Sequence, residues 1–589
     1  MMRTLRLAAI LVVAAASAST ARGADPQSSG VKPHVWEGAI KVRPGVEIRV
    51  IFNVTPGDGG ALKATCDIPD QGAKGLKVDV VTFDKETIVF DLVNMGMKFE
   101  GKVNAQGTEA EGAWLQGGGK SPTTLVKKDK ATPPPAIVGK EDVWEGKIAL
   151  GAGIELRLVF HVGKNKAGEL MATMDSPDQG AKGLKVDLVT QDKDTLTFEI
   201  RSLAAKFSGT LDKTGSTATG TFEQRGMKFP MTLKKTEKVT ELLRPQTPKP
   251  PFAYMAEDVS YPNKAAGISL SGVLTLPNGP GPFAAAIMIS GSGAQDRDET
   301  LFQHKPFLVI ADALTRRGVA VLRVDDRGVG GSSGNTVKST SDDFAGDVQA
   351  GMAYLKTRRE IDPHKIGLIG HSEGGLIAPM VAARSGDVAF IVMLAGTGLP
   401  GDEIVKLQSR LIAKTMGAKG ERLDKQLVFQ ARMFEVVKAE KDEKVVESKL
   451  KAIFKEATAV LTDAEKKEAG DLETLGDAQI KRVNNPWFRF FLGFDPRPAL
   501  AKVHCPVLAL NGEKDLQVPP KENLAEIKKA VAKAGNPDVT VMELAGLNHL
   551  FQTCKTGAPS EYAQIEESFA PSALAIVCDW VETQAKKGK

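Results

Sequence analysis

Ile366-Gly-Leu-Ile-Gly-His-Ser-Glu-Gly-Gly-Leu-Ile-Ala-Pro-Met-Val-Ala-Ala383 is an apolar run that reaches a Gly-x-Ser-x-Gly centre and passes at once into a small-residue helical stretch. This pattern predicts a strand, a sharp elbow and a helix, with the Ser372 hydroxyl exposed above a parallel sheet. Gly370 and Gly374 lack the side chains that would obstruct so tight a turn. A second match, Gly330-Gly-Ser-Ser-Gly334, leads into the polar loop Asn335-Thr-Val-Lys-Ser-Thr340, and no helical pattern follows it. Context therefore selects Ser372 as the candidate nucleophile and leaves Ser332 as a loop residue.

From Phe252 onward, strand patterns alternate with helical ones, which implies a mostly parallel sheet with helices on both faces. One stretch, about 402–494, interrupts the alternation. It is charge-rich, carries helical runs such as Leu427-Val-Phe-Gln-Ala-Arg-Met-Phe-Glu-Val-Val437, and reads as a helical cap inserted over the sheet.

A serine hydroxyl is a weak nucleophile until a base takes its proton, and the base needs a carboxylate to fix its tautomer. Of the seven histidines, only His549 directly follows a late strand, in Val539-Thr-Val-Met-Glu-Leu-Ala-Gly-Leu-Asn-His-Leu-Phe551. The acid is expected between serine and histidine in chain order, on a loop after another strand. Val507-Leu-Ala-Leu-Asn-Gly-Glu-Lys-Asp-Leu-Gln-Val-Pro519 supplies Asp515, which is preferred to Glu513 because it lies past the turn. The candidate triad is Ser372, Asp515 and His549.

With these motifs in this order, the region from Phe252 to Trp580 resembles an α/β-hydrolase, close to the serine-aminopeptidase-like and acyl-esterase branches. Ile289-Ser-Gly-Ser-Gly-Ala-Gln-Asp-Arg-Asp-Glu299 stands where that family has its oxyanion loop, with Ser290-Gly291 in place of the frequent His-Gly. The resemblance implies that the backbone N–H groups of Ser292 and Glu373 form the oxyanion hole. Asp325-Asp-Arg-Gly328 resembles the family's Asp-x-Arg-Gly loop, whose charged residues read as local loop-fixing partners. The charged run Asp296 to Glu299 reads as a substrate contact, as surface charge or as a loop staple. The aromatic stretch Asn485 to Phe494 reads as the wall of an acyl pocket or as plain core.

The N-terminal part is built differently. Val35-Trp-Glu-Gly38 recurs as Val143-Trp-Glu-Gly146, and Pro69 to Asp79 recurs identically as Pro177 to Asp187, at a constant offset of 108 residues. Each copy alternates apolar and polar residues between glycine-rich turns, so about eight antiparallel strands are expected, closed into a small barrel or sandwich. The organisation read from the chain is a signal peptide at 1–23, a first β-repeat at 35–127, and a Pro-rich linker at 128–142. A second β-repeat at 143–235, a second Pro-rich linker at 236–251 and the hydrolase domain at 252–585 follow.

Arg3 and Arg6, a short apolar run and small residues ending at Ala21-Arg-Gly23 predict export, to the periplasm or the medium. The apolar run is too short to span a bilayer, and no later stretch reaches the required length. Four cysteines in an exported chain leave room for one bridge, between Cys554 and Cys578, while Cys66 and Cys505 read as core. Charged residues make up 25% with a formal net charge of +5, so no nucleic-acid partner is implied. No metal-ligand spacing occurs, and the triad chemistry needs no cofactor.

The expected activity is cleavage of small-molecule acyl esters through an acyl-enzyme on Ser372. The same triad also suits an acyl thioesterase or an aminopeptidase of the proline-iminopeptidase type. An envelope-binding protein, whose tandem β-domains hold a lipid or glycan, is the alternative of another class.

Overall fold

The computed structural model describes residues 32–587, except 44–45, 58–60, 72, 85, 117–118, 134–135, 152–153, 180, 225–226, 240–242, 416, 418–419, 464–465 and 467–471. The signal peptide read at 1–23 lies outside the described residues. Two compact units divide the chain between Leu242 and Leu243.

The N-terminal unit holds two nine-stranded antiparallel sheets with the same strand order. In the first, His34–Arg43 lies mid-sheet between Val46–Pro56 and the last strand, Gly119–Lys128. The edges are Ala73–Lys77 and Val80–Phe83, which are consecutive in the chain. No ladder joins them among the described residues, so the meander stops one pairing short of a closed barrel, with one strand more than the alternation suggests. In the second sheet the opening strand begins at Val138, inside the stretch read as linker.

The repeat extends to the packing. Trp36 and its counterpart Trp144 are each 1% exposed. Phe52 stacks on Phe90 at 4.0 Å between ring centroids, and the equivalent Phe160 and Phe198 stack at 4.2 Å. Cys66 and its counterpart Met174 are both buried, as small and flexible apolar fillers of one position. The copies differ in their charges. Arg157 forms a buried ion pair with Asp178, whereas Arg49 directs its guanidinium to Glu37.

The C-terminal unit is built on an eight-stranded sheet. Its spatial order is Met255–Asn263, Ile268–Leu276, Ala320–Val324, Phe283–Ile289, Ile361–His371, Ile391–Leu394, Val507–Gly512 and Val539–Leu544. The first two pairings are antiparallel and the other five parallel. Its inner strands are apolar at nearly every position because both faces are covered. Ala285, Ile287 and Ile289 pack toward the helices Ser341–Lys356, Glu373–Ala382 and Pro520–Ala532, while Ala286 and Met288 pack toward Pro306–Arg316 and Pro571–Lys586.

Between Leu394 and Val507 the chain leaves the sheet for a helical insertion that includes Gly401–Thr415, Gly420–Ala439, Glu443–Ala459, Leu472–Val483 and Pro486–Gly493. These helices close on a small core of Phe434, Val437, Val446, Leu450, Ile480 and Leu492. No helix among the described residues is long and apolar enough to cross a membrane. All four cysteines are free thiols, so the bridge considered between Cys554 and Cys578 is not formed.

Candidate active site

Ser372 stands between the strand ending at His371 and the helix beginning at Glu373, with φ 53° and ψ −113°. A non-glycine residue at positive φ is strained, and it persists only where its surroundings over-determine it. Here the Ser372 N–H donates to Leu394 O at 2.8 Å, and its carbonyl accepts from Gly375 N–H at 3.0 Å. The flanking glycines are there for close approach. A Cβ on Gly374 would lie 2.0 Å from Ile289 O, and one on Gly370 would lie 2.0 Å from Gly374 O.

Asp515 follows the strand Val507–Gly512, and His549 follows Val539–Leu544. The two side chains meet, with His549 Nδ1 2.8 Å from Asp515 Oδ2. The other carboxylate oxygen accepts the N–H groups of Gln517 and Val518, both at 2.8 Å. Asp515 is thus held as an acceptor, Nδ1–H is the donor, and Nε2 keeps the lone pair that a general base requires. The His549 backbone is set by the preceding residue: Asn548 Oδ1 accepts the N–H groups of Leu550 and Gln552.

Among the described residues, no hydrogen bond joins Ser372 Oγ to the His549 ring. Contacts of this kind commonly tighten only when substrate is bound. The N–H groups of Ser292 and Glu373 donate to no protein acceptor among the described residues, while their neighbour Gly291 N–H donates to Glu299 Oε1 at 2.7 Å.

The charged loops around the elbow are mostly stapled to one another. Asp326 accepts from Ser290 Oγ at 2.6 Å and from Gln295 N–H at 2.9 Å. Burial pushes its pKa well above the usual carboxylate range, against the pull of those bonds and helped by the nearby charges of Glu373 and Glu299. Arg297 pairs with Asp325, and Arg327 pairs with Asp347. Ser332, in the second Gly-x-Ser-x-Gly, is fully buried and donates to Asp325 O at 2.7 Å, which leaves it no access to a substrate.

Three features have no signature in the sequence. His371 Nδ1 lies 2.9 Å from Glu299 Oε1, and His371 Nε2 donates to the backbone carbonyl of His549 at 3.0 Å. The Glu373 side chain accepts from Ser341 Oγ at 2.5 Å and from the Trp487 indole N–H at 2.7 Å. Burial raises the Glu373 pKa, and those two donors oppose the rise. Arg244, in the second Pro-rich stretch, donates to the carbonyls of Phe302, Ala563 and Ile565. The elbow histidine is visible in the motif and Glu299 in the charged run, but no spacing rule connects them.

The family model for serine aminopeptidase, S33, matches residues 305–474. Esterase EstD of Thermotoga maritima is 25% identical over 281 residues, 48% of this chain, and the chain spans 58% of that relative's length. An esterase of Pyrococcus furiosus, at 17% identity, covers 49% of this chain and 82% of its own with a TM-score of 0.32. Est1E of Butyrivibrio proteoclasticus, also at 17%, covers 56% and 99% with a TM-score of 0.31. Strand order, elbow and family match together identify the C-terminal unit as an α/β-hydrolase domain.

Proposed function

We propose that this protein is a serine hydrolase that cleaves carboxylic esters through an acyl-enzyme on Ser372. The observation that carries this reading is the His549 to Asp515 hydrogen bond at 2.8 Å, formed at strand ends beside the strained Ser372 elbow. His549 Nε2 takes the Ser372 proton as Oγ attacks the ester carbonyl, and Asp515 stabilises the resulting imidazolium. The Ser292 and Glu373 N–H groups receive the oxyanion. His549 then protonates the leaving alcohol, and water attacks the acyl-enzyme by the same route in reverse.

The esterase reading is preferred to peptidase or thioesterase because the curated relative is named an esterase, although a triad alone suits all three. The 401–494 insertion acts as the cap, a reading supported by the Trp487 bond to the residue after Ser372. Export rests on the leader-like first 23 residues.

A fluorophosphonate probe tests the mechanism. Mass spectrometry should place the adduct on Ser372, and His549→Ala should slow labelling by orders of magnitude. Labelling elsewhere, or a rate unchanged in His549→Ala, would refute it. Turnover of p-nitrophenyl esters against aminoacyl-nitroanilides, each relative to its spontaneous rate, tests the ester preference; faster amide turnover would replace esterase by peptidase.

A further inference from the structure

Glu299 and His371 belong neither to the triad nor to the oxyanion hole, yet they join the three loops that carry them. Glu299 Oε1 accepts the N–H of Gly291, the residue before Ser292, at 2.7 Å. The same oxygen bonds His371 Nδ1 at 2.9 Å, and His371 is the residue before Ser372. His371 Nε2 reaches the carbonyl of His549 itself at 3.0 Å.

The carbonyl partner assigns one of the protons. A backbone carbonyl only accepts, so Nε2 carries hydrogen. Glu299 Oε1 accepts the Gly291 N–H and shares its other hydrogen bond with Nδ1. The two groups form a buried hydrogen-bonded pair, each side chain 8% exposed. Burial alone would lower the His371 pKa, but the Glu299 charge and hydrogen bond and the His549 carbonyl outweigh it, and the net shift is upward.

Space around the pair is tight. A Cβ on Gly291 would lie 3.0 Å from Glu299 Oε1 and 3.3 Å from Ser372 Cβ. Glu299 holds a left-handed backbone, φ 51°, fixed by its N–H bond to Asp296 O at 2.9 Å. The His371 and His549 rings lie 4.9 Å apart between centroids, and His549 must become a cation during the proposed reaction.

We propose that Glu299 and His371 are positioning residues, a buried hydrogen-bonded pair that sets the oxyanion loop and the His549 backbone against Ser372. This rests on the serine-esterase reading above. It differs from a general packing role in what it predicts: the loss should fall on the chemical step, and the two residues should act as one unit.

The test uses the full chain with p-nitrophenyl butyrate and a fluorophosphonate probe, on Glu299→Gln, His371→Gln and the double variant. Each single change should lower kcat about 10- to 100-fold with KM within about threefold, and slow probe labelling in parallel. The double variant should be no more than about threefold slower than the worse single one, because either change breaks the same unit. If Glu299→Gln does not fold, as judged by thermal unfolding, His371→Asn serves instead: its amide keeps a donor toward Glu299 and loses the link to His549. Single variants with kcat within twofold of wild type, losses confined to KM, or multiplicative effects in the double variant would overturn the proposal. A wild-type chain not labelled at Ser372 would instead remove the serine-esterase reading, and this proposal with it.

Discussion

The indole N–H of Trp487 donates to the Glu373 carboxylate at 2.7 Å, joining the last helix of the 401–494 insertion to the residue that follows Ser372. Trp487→Phe keeps an aromatic ring against Phe491 and removes that donor together with part of the indole's bulk. The buried carboxylate is then left with the Ser341 hydroxyl, and an under-satisfied buried group costs about 1–3 kcal/mol. Thermal unfolding should show that loss, and limited proteolysis should cut faster within 401–494. Unchanged cleavage there would mean the bond does not hold the insertion down.

Asp515→Asn should lower kcat by roughly 10³- to 10⁴-fold with little change in KM, because an amide no longer selects the Nδ1–H tautomer of His549 or balances its charge. The carbonyl oxygen of the new amide would still accept the Gln517 and Val518 N–H groups, so the loop should survive. Steady-state kinetics beside a circular dichroism spectrum separate the two effects. A variant with near wild-type kcat would exclude Asp515 as the orienting acid.

The parts of this site that can be read in the sequence are those with a local signature. Ser372 is marked by the change from strand to helix around it, and Asp515 and His549 by their places after late strands. The Glu299 to His371 and His371 to His549 contacts join residues 72 and 178 positions apart, so no periodicity reports them. The repeat is legible because its offset is constant, but the open edge of each sheet is not: whether Ala73–Lys77 pairs with Val80–Phe83 depends on how far the sheet curls, which alternation does not encode. The second Pro-rich stretch reads as a spacer by composition, while its Arg244 and Gln246 are tied down by tertiary hydrogen bonds that composition cannot reveal.

His304 gives the fold an acid-sensitive point. It is 1% exposed, its Nε2 donates to Tyr562 O at 3.0 Å, and its Nδ1 lies 2.9 Å from Ser568 Oγ. Burial, aided by the Arg244 charge, lowers its pKa from 6.5 to about 4. The folded state therefore binds fewer protons than the unfolded state between those values, so stability should rise with pH from about 4 to 6.5 and be lost as pH falls through that window. The contribution is on the order of 3 kcal/mol, at about 1.4 kcal/mol per pKa unit. Denaturant unfolding at pH 4.5 and 7 should show a smaller pH difference in His304→Gln than in wild type. An equal difference in both would place the acid sensitivity elsewhere.

The start of the hydrolase unit can be tested by truncation. Arg244 Nη2 donates to Phe302 O at 2.9 Å and to Ala563 O at 2.8 Å, and its Nη1 donates to Ile565 O at 3.0 Å. Gln246 Oε1 accepts the N–H groups of Ser568 and Phe569, and its amide donates to Phe569 O at 2.6 Å. These residues brace the loop that follows His549 and the end of the loop that carries Glu299. A chain beginning at Pro248 lacks both side chains and leaves their buried and half-buried partners to water or to nothing, whereas one beginning at Leu243 keeps them. At about 2–4 °C per kcal/mol for a domain of 150–250 residues and less for a larger one, losing several such bonds should lower Tm by roughly 5 °C in the shorter chain. Arg244→Ala in the full-length protein should shift Tm in the same direction. If the two truncated chains unfold together and Arg244→Ala leaves Tm unchanged, the stretch is only a spacer and the unit begins at its first strand, Met255–Asn263.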